Sequence, residues 1–118
     1  AKVVENATIM DGGIAISTCS KDMPNNMLIA AQAADALLSI KGIQASFVLA
    51  ETPGGINISG RSLGQINVQL ILERIGGGGH LAVAGAQLKD ISINEAVDKL
   101  TESIYSYLDE IGADYSRS

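Results

Sequence analysis

The period of the hydrophobic positions changes along the chain, and each change marks an element. "GGIAISTCS" (Gly12 to Ser20) is rich in β-branched residues with partial alternation, which predicts a strand. "KDMPNNML" is a turn, after which Pro24 or Asn25 can open a helix. "NNMLIAAQAADALLSIKG" then predicts a strong helix. Met27, Ala31, Ala34 and Leu38 share its apolar face, joined by Leu28 and Leu37, and Gly42 stops it. So many alanines predict close packing against a sheet.

"IQASFVLAE" (Ile43 to Glu51) and "INISGRS" (Ile56 to Ser62) predict two strands, joined by the turn chemistry of "TPGG" into an antiparallel hairpin. "LGQINVQLILERIGG" predicts a second helix. Ser62 with Gln65 can form a capping box, or Asn67 can cap a shorter helix. Val68, Ile71, Leu72 and Ile75 make its apolar stripe, and Gly76 ends it. "HLAVA" fits a short helical turn and "GAQLKDI" a last short strand. Ser92 and Glu95 fit a capping box ahead of "INEAVDKLTESIYSYLDEI", whose stripe is Val97, Leu100, Ile104, Leu108 and Ile111. The sum is an α/β two-layer sandwich with a mixed sheet of about four to five strands and three main helices. It forms one domain over residues 1–118, with 113–118 as a frayed tail.

Composition agrees with one packed domain. The chain has 118 residues, of which 47% are hydrophobic. No apolar run approaches the roughly 18 residues of a membrane span. The start, "AKVVENATIM", has no signal-peptide core and no initiator Met, so a fragment of a longer chain is expected. One cysteine, Cys19, cannot form an internal disulfide, which suits a reducing cytoplasm. Its apolar setting predicts a buried, inert thiol.

Charge narrows the partners. The net charge is −5, and the eight Lys and Arg residues are scattered. Proteins that grip long nucleic acid by its phosphates show a basic face, so long duplexes are excluded. Phosphate binding here would be local, through backbone donors and one or two arginines.

One stretch offers such a place. In "ERIGGGGHLAVAGAQL", four glycines, Gly76 to Gly79, run into His80, the only histidine. Consecutive glycine N–H groups can curl into an anion-binding nest. Gly77, Gly78 and Gly79 would form the nest, with His80 at its rim donating to a phosphate oxygen or stacking on a base. The alternative is a linker carrying a surface histidine. Arg61, at a predicted strand end, offers a planar bidentate donor to phosphate, or is an ordinary surface arginine. The glycines lack the Lys-Ser/Thr of a P-loop and do not follow a strand as a dinucleotide fingerprint does. The dispersed acids, Asp11, Asp22, Asp35 and Asp90, read as turn or solvent-facing residues, and no metal-ligand spacing exists.

"ISGRSLGQINVQLILERIGGGGHLAVAGAQL" (Ile58 to Leu88) resembles the type 1 DHH-associated domain of the DHH phosphoesterase superfamily. "RSLGQINVQ" with the four glycines is most similar to the branch of membrane-anchored bacterial cyclic-di-AMP phosphodiesterases. "LIAAQAADALLSIKGIQASFVLAE" and "ISINEAVDKL" extend the resemblance to about nine-tenths of the chain. It implies a substrate-binding domain that closes over an N-terminal DHH domain of the same parent. That domain holds two divalent cations, usually manganese, which activate water for attack on a phosphodiester.

The resemblance implies substrate contacts at Arg61, Gly77, Gly78, Gly79 and His80, with Ser59, Ser62 and Asn67 as weaker candidates. It assigns no catalytic or metal-ligating residue to this chain. The implied substrates are cyclic dinucleotides; short oligoribonucleotides or polyphosphate are the alternative, as is a non-catalytic nucleotide-binding module. The parent would sit in the cell membrane with this domain on the cytoplasmic side, and a homodimeric parent stays open.

Overall fold

A computed structural model describes residues 2–112; the expected frayed tail, 113–118, lies outside the described residues. Elements follow in the order α1 (Lys2–Glu5), β1 (Thr8–Met10), β2 (Ile14–Cys19), α2 (Asn26–Leu37), β3 (Ala45–Thr52), β4 (Gly55–Ser62), α3 (Val68–Glu73), β5 (Gly78–Gly79), β6 (Val83–Lys89) and α4 (Ile93–Glu110). Six strands form one mixed sheet in the order β1-β2-β3-β4-β6-β5. Only β2 and β3 pair in parallel, because α2 carries the chain back between them; every other pair is antiparallel.

The α/β class and the mixed sheet are as the sequence predicts. The sheet is wider, through the short edge strands β1 and β5, and its layering differs from a simple two-layer sandwich. Strand alternation sends Phe47, Leu49, Ile56, Ile58, Ala84, Ala86 and Leu88 to one face, where α3 and α4 cover them. It sends Ala15, Cys19, Val48 and Ala50 to the other, under α1 and α2. Burial pushes the Cys19 thiol pKa up, which keeps it a protonated apolar group.

Each helix explains one piece of this packing. α2 buries Ala30, Ala33, Ala34 and Leu37 and leaves Met27 and Leu28 exposed, a face rotated from the predicted one. The small side chains win because they let the backbone approach the sheet. The Ser46 hydroxyl of β3 donates to the Ala34 carbonyl across that short gap. Asn67 caps α3, its side chain accepting from the Leu70 N–H at 3.1 Å, so the shorter of the two predicted helices forms. Ser92 and Glu95 form the predicted capping box of α4. α4 buries Ala96, Leu100, Ile104, Tyr107 and Leu108, while Ile111, expected on that stripe, is exposed. Ser103 of α4 donates to the Ile71 carbonyl, and the Tyr107 hydroxyl accepts from the Asn67 N–H at 2.9 Å, locking α4 against α3.

Candidate functional site

On the α2 side of the sheet, the helices cover β2 and β3, α2 reaches β4 where Asp35 meets Arg61, and β6 is left open. The outward positions of β4 and β6 are Asn57, Ser59 and Arg61, and Val83, Gly85, Gln87 and Lys89. These line an open concavity of about 630 Å³, together with Gly76, Gly77 and Gly78. Its floor is a cross-strand row of Gly78 on β5, Gly85 on β6 and Ser59 on β4. Two of its lining residues are cationic, Arg61 and Lys89, and none is a carboxylate. In a chain of net charge −5, this is a local site of opposite sign.

Arg61 is held in place. Its Nε donates to Asp35 Oδ1 at 3.0 Å and its Nη1 to the Gly60 carbonyl at 2.9 Å. The Arg61 side chain is 17% exposed, whereas Asp35 is 65% exposed. The guanidinium therefore lies along the wall between α2 and the concavity, anchored on one edge by a carboxylate at the solvent boundary. Such a group loses less rotamer freedom on meeting an anion than a free surface arginine. Asp35 read from sequence as a solvent-facing acid, and the structure gives it this anchoring contact. The usable signal was its place on α2 one residue after buried Ala34.

The glycines are ordered as a strand edge. Gly78 and Gly79 form β5, which pairs with Gly85 and Ala84 of β6. The helical turn expected over His80 to Ala84 is absent: the chain reverses there, and the His80 N–H donates to the Val83 carbonyl at 2.7 Å. The predicted nest at a helix N-terminus is therefore replaced by a β-hairpin. Close approach explains Gly77 and Gly79. A Cβ on Gly77 would collide with the Gly85 carbonyl and Ala86, and one on Gly79 would lie 2.6 Å from both Ala84 Cα and the Val83 carbonyl oxygen. Gly78 differs: a Cβ there meets nothing within 4 Å and projects into the concavity.

The structure therefore brings together Arg61, Gly77, Gly78 and Ser59. His80 is exposed in the hairpin turn, at the end of the concavity where Val83 pairs with Arg61. Gly79 pairs with Ala84 on the register that faces α3. Ser62 is buried and accepts from the Gly64 N–H at 2.9 Å, and Asn67 is occupied as the α3 cap. Sequence reasoning missed Asn57, Gln87 and Lys89. All three lie in predicted strands, but which face each side chain takes depends on the pairing of β4 with β6, which local spacing does not carry.

A family model, the DHHA1 domain, matches residues 11–110. Over 108 residues the chain is 51% identical to the cyclic-di-AMP phosphodiesterase PdeA of Listeria monocytogenes, covering 91% of this chain and 16% of that protein. It is 46% identical over 110 residues to the cyclic-di-AMP phosphodiesterase GdpP of Geobacillus thermodenitrificans, covering 92% and 17%. The chain thus spans about a sixth of the length of these relatives. The crystal structure of an exopolyphosphatase-related protein from Bacteroides fragilis has the same fold, with a TM-score of 0.78 at 24% identity over 90% of this chain and 33% of that one. On the family match and the identity to two full-length relatives, the chain belongs to the DHHA1 domain family and is similar to the branch found in cyclic-di-AMP phosphodiesterases.

Proposed function

We propose that this domain holds a cyclic dinucleotide, or its linear product, against the bare half of the sheet, facing a metal-bearing DHH domain in the parent protein. The observation that carries this reading is the concavity itself: a glycine floor open to an incoming phosphate, an anchored arginine beside it and no carboxylate in the lining. Arg61 pairs with a phosphate oxygen through the guanidinium edge that Asp35 leaves free. Gly78 allows the phosphate close contact with the strand, and His80 donates from the hairpin turn. Among the described residues, no three His, Cys, Asp or Glu side chains gather as a metal site. By family resemblance the two divalent cations, usually manganese, are held by the DHH domain, which supplies the hydrolytic chemistry. This domain binds and orients the substrate.

Adenine dinucleotides are favoured over longer RNA by the identity to two cyclic-di-AMP phosphodiesterases and by the acidic chain. The 33% identity over 73 residues to the bifunctional oligoribonuclease and PAP phosphatase NrnA of Thermus thermophilus keeps short oligonucleotides as the second reading. No described helix is long and apolar enough to cross a membrane. Membrane anchoring is assigned to other segments of the parent, with this domain on the cytoplasmic side.

The test is kinetic. In the parent enzyme, Arg61→Ala and His80→Ala should each lower turnover of cyclic-di-AMP by roughly ten- to a hundredfold, the loss of one charge-assisted hydrogen bond. The domains should still melt normally. The 118-residue chain alone, with manganese, should hydrolyse nothing. Normal kinetics in both variants, or hydrolysis by the rigorously purified chain, would overturn the assignment.

A further inference from the structure

Asn57 and Gln87 are direct register partners on β4 and β6. Both face the concavity, on the same side of the sheet as Arg61. Opposed residues on antiparallel strands carry their Cβ atoms about 5 Å apart, so the two carboxamides reach one shared volume. Neither amide makes a side-chain hydrogen bond within the described residues, and both are open to solvent, Asn57 half-buried and Gln87 exposed. Asn is disfavoured in strand interiors, and here it is the third residue of an eight-residue strand. The pair is thus poorly explained by folding and well placed for a ligand.

Distance and chemistry identify that ligand. Asn57 lies four residues from Arg61 along β4, about 13 Å at the usual strand rise. The floor between them is Ser59, Gly85 and Gly78, which leaves room for a sugar. A carboxamide offers a donor and an acceptor side by side, the complement of the N6 amino group and N7 of adenine. Guanine presents two acceptors on that edge, O6 and N7, so the amides can donate to both only by leaving their own oxygens without a partner, whereas adenine uses a donor and an acceptor together. We propose that Asn57 and Gln87 form a nucleobase subsite that selects adenine, one nucleotide's length from the phosphate held at Arg61. This rests on the phosphate placement given under Proposed function.

The test separates the two. The isotopically labelled 118-residue chain is titrated with pApA, pGpG and inorganic phosphate, and amide shifts are followed by NMR. The wild-type chain should bind pApA about tenfold more tightly than pGpG, with shifts at Asn57, Gln87 and their neighbours. Asn57→Leu and Gln87→Met remove the amides at similar volume; each should erase most of that preference and leave inorganic phosphate binding unchanged. Because Gln87 is exposed, Gln87→Met also guards against a misfolded core variant. Retention of the full pApA preference in these variants would overturn the subsite while leaving the phosphate reading intact. Unchanged pApA affinity in Arg61→Ala would remove both, as would pApA binding no better than phosphate to the wild-type chain.

Discussion

The α2 side of the sheet has two halves built by opposite rules. Under α2, β2 and β3 present Ala15, Cys19, Val48 and Ala50, all fully buried. One strand further on, β4 and β6 present Asn57, Arg61, Gln87 and Lys89, with Gly85 and Gly78 between them. The backbone is continuous, hydrogen-bonded sheet across the boundary. What changes is the side chain at every second position, and with it whether a helix can dock. The opposite face shows no such break, because α3 and α4 cover apolar residues of β2, β3, β4 and β6 alike. The half left bare and polar beside a half that is fully packed is the surface on which the proposed function rests.

That contrast is broken most strongly from the covered half. Leu37→Ala empties the contact between α2 and the sheet, where Leu37 is 1% exposed. It should cost about 2–5 kcal/mol in denaturant unfolding. Nucleotide binding by the fraction that remains folded should be normal.

Within the glycine run, neighbours should fall on opposite sides of the same divide. Gly77→Val drives a side chain into the Gly85 carbonyl and Ala86, so it should cost roughly 1–3 kcal/mol of stability by overpacking. Gly78→Val meets nothing within 4 Å, so its stability should change by no more than about 0.5 kcal/mol, while its branches fill the space a phosphate needs. Thermal melts and a pApA titration on both variants check this. Loss of stability without loss of binding at Gly78 would show that the floor is structural only.

A smaller effect separates Asn67 from the site. Its side chain is committed to the Leu70 N–H, so Asn67→Ala should cost about 1 kcal/mol of stability, the worth of a helix cap. Binding of pApA should not change. If binding falls in step with that of Arg61→Ala, Asn67 contacts ligand after all.

Long periodic segments made most of the fold legible in the sequence. α2, β3, β4, the Asn67 cap and the α4 capping box all carry strong local signals. What failed were places where tertiary packing outweighs composition. α1 and β1 are a four-residue helix and a three-residue strand, too short to announce themselves. The strand read over "GAQLKDI" forms, but β6 begins two residues earlier, where "HLAVA" reads as a helical turn until β4 is beside it. Volume decided the rotated face of α2, since alanines admit the sheet and Leu28 does not have to. Of the site, Arg61 and the glycines stood out by residue type. Asp35, Asn57 and Gln87 did not, because their placement beside Arg61 or one another comes from cross-strand or helix-to-strand proximity that no local spacing encodes.

The smallest effect lies at the start of α4, on the covered side, and it is a pH effect. Hydrogen bonds from Ser92, its backbone N–H first and then its side chain, hold the Glu95 carboxyl below its ordinary pKa, with Lys99 adding a weaker pull. A carboxyl whose folded pKa is depressed binds fewer protons folded than unfolded. Its contribution is therefore fully present above the unfolded value, and it is lost as pH falls through the lower, folded value. Stability of the wild type should thus exceed that of Glu95→Ala at neutral pH, and the gap should narrow below about pH 4, where unfolded glutamates take up protons. Because Glu95 is fully exposed, the gap should be the smallest of this series, and it should shrink in high salt. The phosphate-induced shifts at Gly78 and Gly85 should be identical in the two proteins, since α4 packs against the far face of the sheet. A gap that stays constant down to strongly acid pH would mean that the helix owes its start to the Ser92 hydroxyl and to packing, with no share from the carboxylate.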